Sequence, residues 1–280
     1  MPINRAVVAA LGALFAAPSL APGQAGEALS VHGGAVLLGT IAAPGFDGRR
    51  LVEGYVTQPM LMAHGSAWSR RVSFSAALNL EPFTLRRGEL NAGIWGEGYV
   101  DRRHPHTLSH EAMLTLAPLL ADGAFRSAIS VGKGFVPFGT DDPMSRPLVK
   151  FPINHHLSQI LERGQVVVSA GGKAGVMEAA LFNGDEPATP NSGVNLSRFA
   201  DSWAARLTAW AGSSVELSAS YAEVASPEVP DGTGLDQRKW NGAARFERAL
   251  SGGRNVYALV EYSHTRDYDD EHPGLPSSSL

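Results

Sequence analysis

The chain has 280 residues and a formal charge of −4, with 44% hydrophobic and 18% charged residues. That balance is too apolar for a disordered chain and not basic enough for a nucleic-acid binder. It contains no cysteine, which excludes disulfides, thiolate metal sites and cysteine nucleophiles.

In chain order, the first element reads as a secretory signal. Arg5 supplies a positive start, Ala6 to Ala17 an apolar stretch, and Gly23-Gln24-Ala25 a small-x-Ala cleavage site. Cleavage is expected after Ala25, giving a signal over 1–25 and one domain over 26–280. The apolar stretch is shorter than the roughly 20 residues a membrane helix needs, and no later run reaches that length. Export without a membrane helix leaves the periplasm, the outer membrane or the medium.

Behind the signal, apolar and polar side chains alternate with period two. Val72, Phe74, Ala76, Leu78 and Leu80 fall on one face of an extended segment, with Arg71, Ser73, Ser75, Asn79 and Glu81 on the other. Eleven such segments are predicted: 29–41, 51–63, 70–82, 106–118, 122–136, 162–171, 174–184, 199–211, 214–226, 236–249 and 253–267. Short connections such as Gly171-Gly172-Lys173, Ala211-Gly212-Ser213 and Ser251-Gly252-Gly253 suit tight turns. Between them come longer ones near 83–105, 137–161, 185–198 and 227–235. Short and long connections in turn are the pattern of an outer-membrane barrel. Trp203, Trp210, Tyr221, Trp240, Tyr257 and Tyr262 lie near strand ends, where interfacial girdles form.

The expectation is therefore an all-β, antiparallel, up-and-down transmembrane β-barrel of about 12 strands; the alternative is a soluble antiparallel sandwich, which alternates in the same way. Eleven is odd, whereas a barrel with both termini in the periplasm needs an even number. The stretch from Asp267 to Leu280 reads as an outer loop, so a closing C-terminal strand is expected to be missing from the sequence.

Three stretches, GYVDRRHPHTLSHEAML (Gly98 to Leu114), NHHLSQILERGQV (Asn154 to Val166) and ALFNGDEPATP (Ala180 to Pro190), together with His32-Gly33, carry a likeness across most of the chain after the signal. They resemble a poorly characterised family of Gram-negative outer-membrane β-barrels of porin type. The resemblance implies a porin-like barrel and no catalytic residues; the departure from the family is the missing C-terminal strand.

The densest polar constellation runs through Asp101, Arg102, Arg103, His104 and His106 to His110 and Glu111. His104, His106 and His110 could share one face of an extended segment, with His155 and His156 joining from the 137–161 loop as ligands for zinc or copper. A hydrogen-bonded network without metal is the plainer reading, and the adjacent arginines disfavour a cation. The 137–161 loop holds Asp141, Asp142, Arg146 and Lys150 followed by apolar residues, a composition suited to folding inward and narrowing a pore. Arg71, Glu81, Arg126, Glu178, Arg206, Arg245 and Glu247 are expected to line the lumen with both signs of charge. Asp185, Glu186, Asp267, Asp269, Asp270 and Glu271 read as solvated loop acids. Gly132-Lys133-Gly134 lacks a phosphate-loop pattern and no GxSxG elbow is present.

The function expected is passive diffusion of small solutes or ions through an outer-membrane barrel, with no enzyme activity and no cofactor. Its partners would be outer-membrane lipids, lipopolysaccharide and the solutes themselves, with no nucleic acid; the oligomeric state stays open. The alternatives are a metal-associated barrel with a His-rich rim site and a non-transporting surface scaffold.

Overall fold

The structure is a computed structural model, and it describes residues 9–13, 29–42, 51–85, 89–92, 100–103, 106–118, 121–122, 125–140 and 158–268. It is all-β. Eleven strands of eight residues or more follow one another: β2 (Leu29–Ala42), β3 (Leu51–Ala67), β4 (Val72–Asn79), β7 (Ser109–Leu116), β9 (Phe125–Gly134), β10 (Arg163–Gly172), β11 (Gly175–Phe182), β12 (Ser202–Ala211), β13 (Val215–Val224), β14 (Asp236–Ala249) and β15 (Asn255–Tyr268). Each coincides with one of the eleven alternating segments, with ends displaced by at most four residues. Four shorter strands were not expected: β1 (Ala9–Ala13), the hairpin of β5 (Glu89–Ala92) and β6 (Val100–Arg103), and β8 (Ala121–Asp122). The helix α1 (Glu81–Thr84) is a single turn. No helix among the described residues is long and apolar enough to cross a membrane.

The sheet is one antiparallel meander in the order β1-β2-β3-β4-β7-β9-β10-β11-β12-β13-β14-β15, with β8 paired to β9 and the β5-β6 hairpin separate. The expected closure is not seen: the path ends at β1 and β15, and these edges are not paired to each other. Eleven strands in alternation leave β2 and β15 running in the same direction, so antiparallel closure requires one more strand between them. β1, from the stretch read as a signal, pairs with the edge of β2, with Ala9 opposite Ile41 and Ala13 opposite Leu37.

The connections segregate by length. Tight turns join β3 to β4, β10 to β11, β12 to β13 and β14 to β15. Residues 80–108, 135–162, 183–201 and 225–235 cross at the opposite end, the loop end. The third of these crossings carries a 3-10 turn at Leu196–Arg198, whose Arg198 donates to the carbonyls of Ala225, Ser226 and Val229 at 2.7, 3.2 and 3.1 Å. Neighbouring loops are thereby tied to one another.

The two faces of the sheet are exposed in the reverse of the usual sense. Leu114, Val131, Val168, Met177, Leu181, Leu207, Leu217 and Val260 all stand exposed, while Asn79, Gln165, Ser202, Lys239, Asn241 and Thr265 are buried. Along β11 the alternation is explicit: Met177 and Leu181 point out, Ala180 and Phe182 point in. Near the loop end the exposed face carries a ladder of rings, Trp203, Tyr221, Trp240 and His264, with successive centroids 5.3, 5.5 and 5.4 Å apart. Trp210 departs from the expected girdle. It lies on the opposite face of β12 from Trp203 and donates to Glu216 Oε2 at 2.9 Å, because an odd spacing in a strand reverses the side on which a residue stands.

Among the described residues one apolar cluster is buried, inside and near the loop end. Val136, Phe138 and Ile160 come from the two ends of the 135–162 connection and pack on Ala180, Phe182, Ala204, Ala222 and Val224 of β11, β12 and β13. The described ends of this connection, 135–140 and 158–162, pack inward; residues 141–157 lie outside the described residues. The Val136 N–H donates to the Ile160 carbonyl at 3.0 Å, and the Gly139 N–H to Ser220 Oγ at 2.9 Å. Gly139 has φ +71°, and a Cβ there would stand 1.6 Å from the Ser158 carbonyl oxygen, so only glycine permits the two ends to lie so close. Phe138→Ala should cost about 3–5 kcal/mol in equilibrium unfolding, because Phe138 is 2% exposed and packed within this cluster.

Candidate functional site

The loop end holds the densest polar site, and a register irregularity builds it. Between β4 and β7, Ala77 opposes Glu111 while Leu78 opposes Ser109, leaving His110 as the extra residue of a bulge. A bulge redirects a side chain that strict alternation would send to the other face. His110 is buried, with Phe135 and His106 edge-on at ring distances of 5.0 and 5.1 Å.

Its partner is Glu162, the residue just before β10. Glu162 Oε1 lies 2.5 Å from His110 Nδ1 and 3.7 Å from His106 Nδ1. The Thr107 N–H donates to both carboxylate oxygens, at 3.0 and 3.2 Å. Lys133 Nζ donates to Thr107 Oγ1 at 2.6 Å, backing the carboxylate from β9. Glu162 adopts φ +59°, a left-handed conformation that costs a non-glycine residue about 1–3 kcal/mol and persists only where its surroundings impose it. Burial alone would raise the Glu162 carboxyl, yet the hydrogen bond to His110 and the charges of His106, His110 and Lys133 outweigh it. The net result holds the carboxyl below its ordinary range.

Glu81 anchors the same site from α1. Its Oε1 accepts from Thr57 Oγ1 and from the Gln58 N–H, both at 2.8 Å, and Oε2 accepts from the His106 N–H at 3.1 Å. Glu81 is 1% exposed. It was expected to line the lumen; instead its carboxylate fastens β3 and the segment entering β7 together, since a buried carboxylate is tolerable only when its oxygens are engaged.

On the wall beyond, charges are paired across neighbouring strands. Arg206 meets Glu178 at 2.7 Å and also donates to the Gly139 carbonyl at 3.3 Å, while Arg245 pairs with Glu216. Arg163, at the start of β10, donates to the carbonyls of Leu161 and Gly184 at 2.6 and 3.0 Å and to Glu186 Oε1 at 3.2 Å. Asp185, 5% exposed, accepts from Asn183 and Asn195 at 3.1 and 3.2 Å. Asp185 and Glu186 are thus built into the loop end rather than solvated, because Arg163 and the two asparagines converge on them.

Of the residues expected to hold a metal, the structure brings His106 and His110 together; His104, His155 and His156 lie outside the described residues. So do Asp141, Asp142, Arg146 and Lys150 of the inward loop and the acids Asp269, Asp270 and Glu271. Glu178, Arg206 and Arg245 form the cross-strand pairs just described. Arg71 lies exposed in the β3–β4 turn, where its carbonyl accepts from the Ala117 N–H at 2.8 Å. Arg126 is exposed at the turn end of β9, opposite Ala121. Glu247 is exposed and accepts from Asn255 Nδ2 at 3.1 Å. Asp267 accepts from Gln237 Nε2 at 3.0 Å across β14 and β15. Sequence reasoning missed Glu162, Thr107 and Lys133. Glu162 is 52 residues from His110, and nothing in its neighbours announces the contact; a glutamate facing a run of strand residues was the available signal.

No family model, curated protein or solved structure matches the chain. Glu81→Ala should strip three donors of their acceptor and cost about 1–3 kcal/mol for each donor that water cannot reach, measured by equilibrium unfolding; Glu81→Gln should recover part of that loss.

Proposed function

We propose that the chain is a porin-type outer-membrane β-barrel, exported by a signal over residues 1–25, through which small solutes or ions diffuse passively. The observation that carries this reading is the reversed exposure of the sheet. A face of leucine, valine and methionine left outside gains nothing in water, where burial of apolar area is worth about 25 cal/mol per Å². The same face is what acyl chains would meet, and the Trp203–His264 ladder stands at a strand end where interfacial rings collect.

The interior supports passage rather than chemistry. Asparagine, glutamine, serine and threonine alternate along the inner face with the pairs Glu178–Arg206 and Glu216–Arg245. The segment 135–140 crosses this wall through Gly139, held by Ser220 and Arg206, and narrows the space. A barrel of about twelve strands is already slimmer than the 16 to 18 of open porins, so only small solutes fit. Mixed charge along the wall gives weak selectivity.

Closure belongs to this proposal. β1, which pairs with β2, lies within the proposed signal and leaves with it, so closure of the exported chain takes another strand in that slot, antiparallel to both β2 and β15. A strand pairing there with both would leave neither edge open, which a bilayer demands.

Reconstituted into planar bilayers, the folded protein should give discrete unitary conductance steps; a folded protein that inserts and stays silent would overturn the channel. Glu178→Gln and Arg206→Gln should shift the cation-to-anion permeability ratio in opposite directions, downward and upward. Leu207→Arg tests the outer face. In a bilayer it should cost about 2–4 kcal/mol, against under about 0.5 kcal/mol at an ordinary water-exposed site.

A further inference from the structure

We propose that His106, His110 and Glu162 form a binding site for one divalent transition-metal ion of the zinc class. Among the described residues they alone gather three such ligands, with Nδ1 or Nε2 of each imidazole and one carboxylate oxygen all within 4.8 Å of one another. Two imidazoles and a carboxylate are a donor set that zinc accepts, with a fourth position left for water or a solute.

The distances fit an ion with little rearrangement. Ligand atoms about 2.0–2.1 Å from a tetrahedral ion lie about 3.3 Å from one another. The two separations, 2.5 Å from His110 and 3.7 Å from His106 to the same Glu162 oxygen, fall on either side of that value. Loading the site therefore opens one contact and closes the other, each by under about 1 Å.

The supports of the ligands point the same way. The β7 bulge turns His110 inward, Phe135 sets its ring, and the Thr107 N–H orients the Glu162 carboxylate. The Glu81 carboxylate fixes the backbone of His106. Such outer contacts orient metal ligands and raise affinity. Glu162 holds its backbone at φ +59° in the arrangement that brings its carboxylate to the imidazoles.

The opposing term is Lys133. Its ammonium is engaged by the Thr107 hydroxyl at 2.6 Å, one residue from a ligand, and its charge repels any cation in the site. This gives the proposal a sign. Removing the lysine charge must strengthen metal binding, whereas a site held together only by the His–Glu hydrogen bonds would take up no metal with or without it.

The test uses the full chain, folded and stripped with a chelator, then titrated with zinc chloride. Saturation at one ion per chain is expected. His110→Ala and Glu162→Gln should each weaken it at least as much as the 10–100-fold loss that follows removal of an outer-shell partner. Lys133→Gln should tighten it, and the exposed His64→Gln should leave it unchanged. Cobalt chloride should give the visible absorption of a four-coordinate ion, lost in His106→Gln; that readout also decides the matter if the buried His110→Ala variant fails to fold. No zinc uptake by the parent chain, or uptake and cobalt bands that survive His106→Gln and Glu162→Gln, would overturn the site. The outcome is independent of conductance, so a silent bilayer and an empty metal site are separate failures.

Discussion

Everything in this fold follows from a sheet that keeps its polar face inside. In an ordinary antiparallel sheet the apolar face packs and the polar face meets water, and burial of the apolar area holds the chain together. Here the concealed face carries Asn79, Lys239, Asn241 and Thr265, and every such group costs about 1–3 kcal/mol unless it finds a partner. The interior is therefore stabilised by pairing rather than by oil: Arg206 with Glu178, Lys239 with Gln237 and Thr265, Asn241 with Ser263 and Glu261. The backbone ladder supplies the frame on which those pairs meet.

That constraint explains why the apolar cluster is so local. Val136, Phe138 and Ile160 bury themselves on Phe182 and the small residues Ala180, Ala204 and Ala222. Alanines on three successive strands leave room above the wall for the inward segment, and larger side chains at those positions would push it out. The cluster sits beside the ionic belt of Glu81, Glu162 and Arg163, so the inward segment is held by apolar contact on one side and by charged contacts at its base. The tight-turn end has no comparable belt among the described residues, and the molecule is fastened most strongly where its long connections leave the sheet.

The strands were legible in the sequence because period-two alternation is a local signal. Val72 to Asn79 declares its two faces whatever it pairs with, and Asp236–Ala249 falls where the alternation ends. The alternation also located His106 and His110 near one strand entrance. It could not show Glu162, whose meeting with His110 depends on which strand lies beside which, nor the bulge that turns His110 inward, since register irregularity arises only when two strands pair. Glu81 was misjudged for a related reason. Alternation extended β4 three residues too far, and the turn of helix that begins at Glu81 swings the carboxylate to Thr57 and Gln58.

The same belt bears on both proposals through rigidity. Glu162 ends the connection whose other limb begins beside Phe135, and His110 touches both, one by hydrogen bond and one by ring contact. Whatever tightens His106, His110 and Glu162 around a common centre therefore also fixes the base of the segment that crosses the interior. An ion there would replace one short hydrogen bond with three directed bonds and cross-link the entrance of β7 to the entrance of β10. The inward segment would then be anchored at its base by the metal and on the wall by Gly139, through Ser220 and Arg206. Two anchors on the segment 135–140 would leave it little freedom to swing.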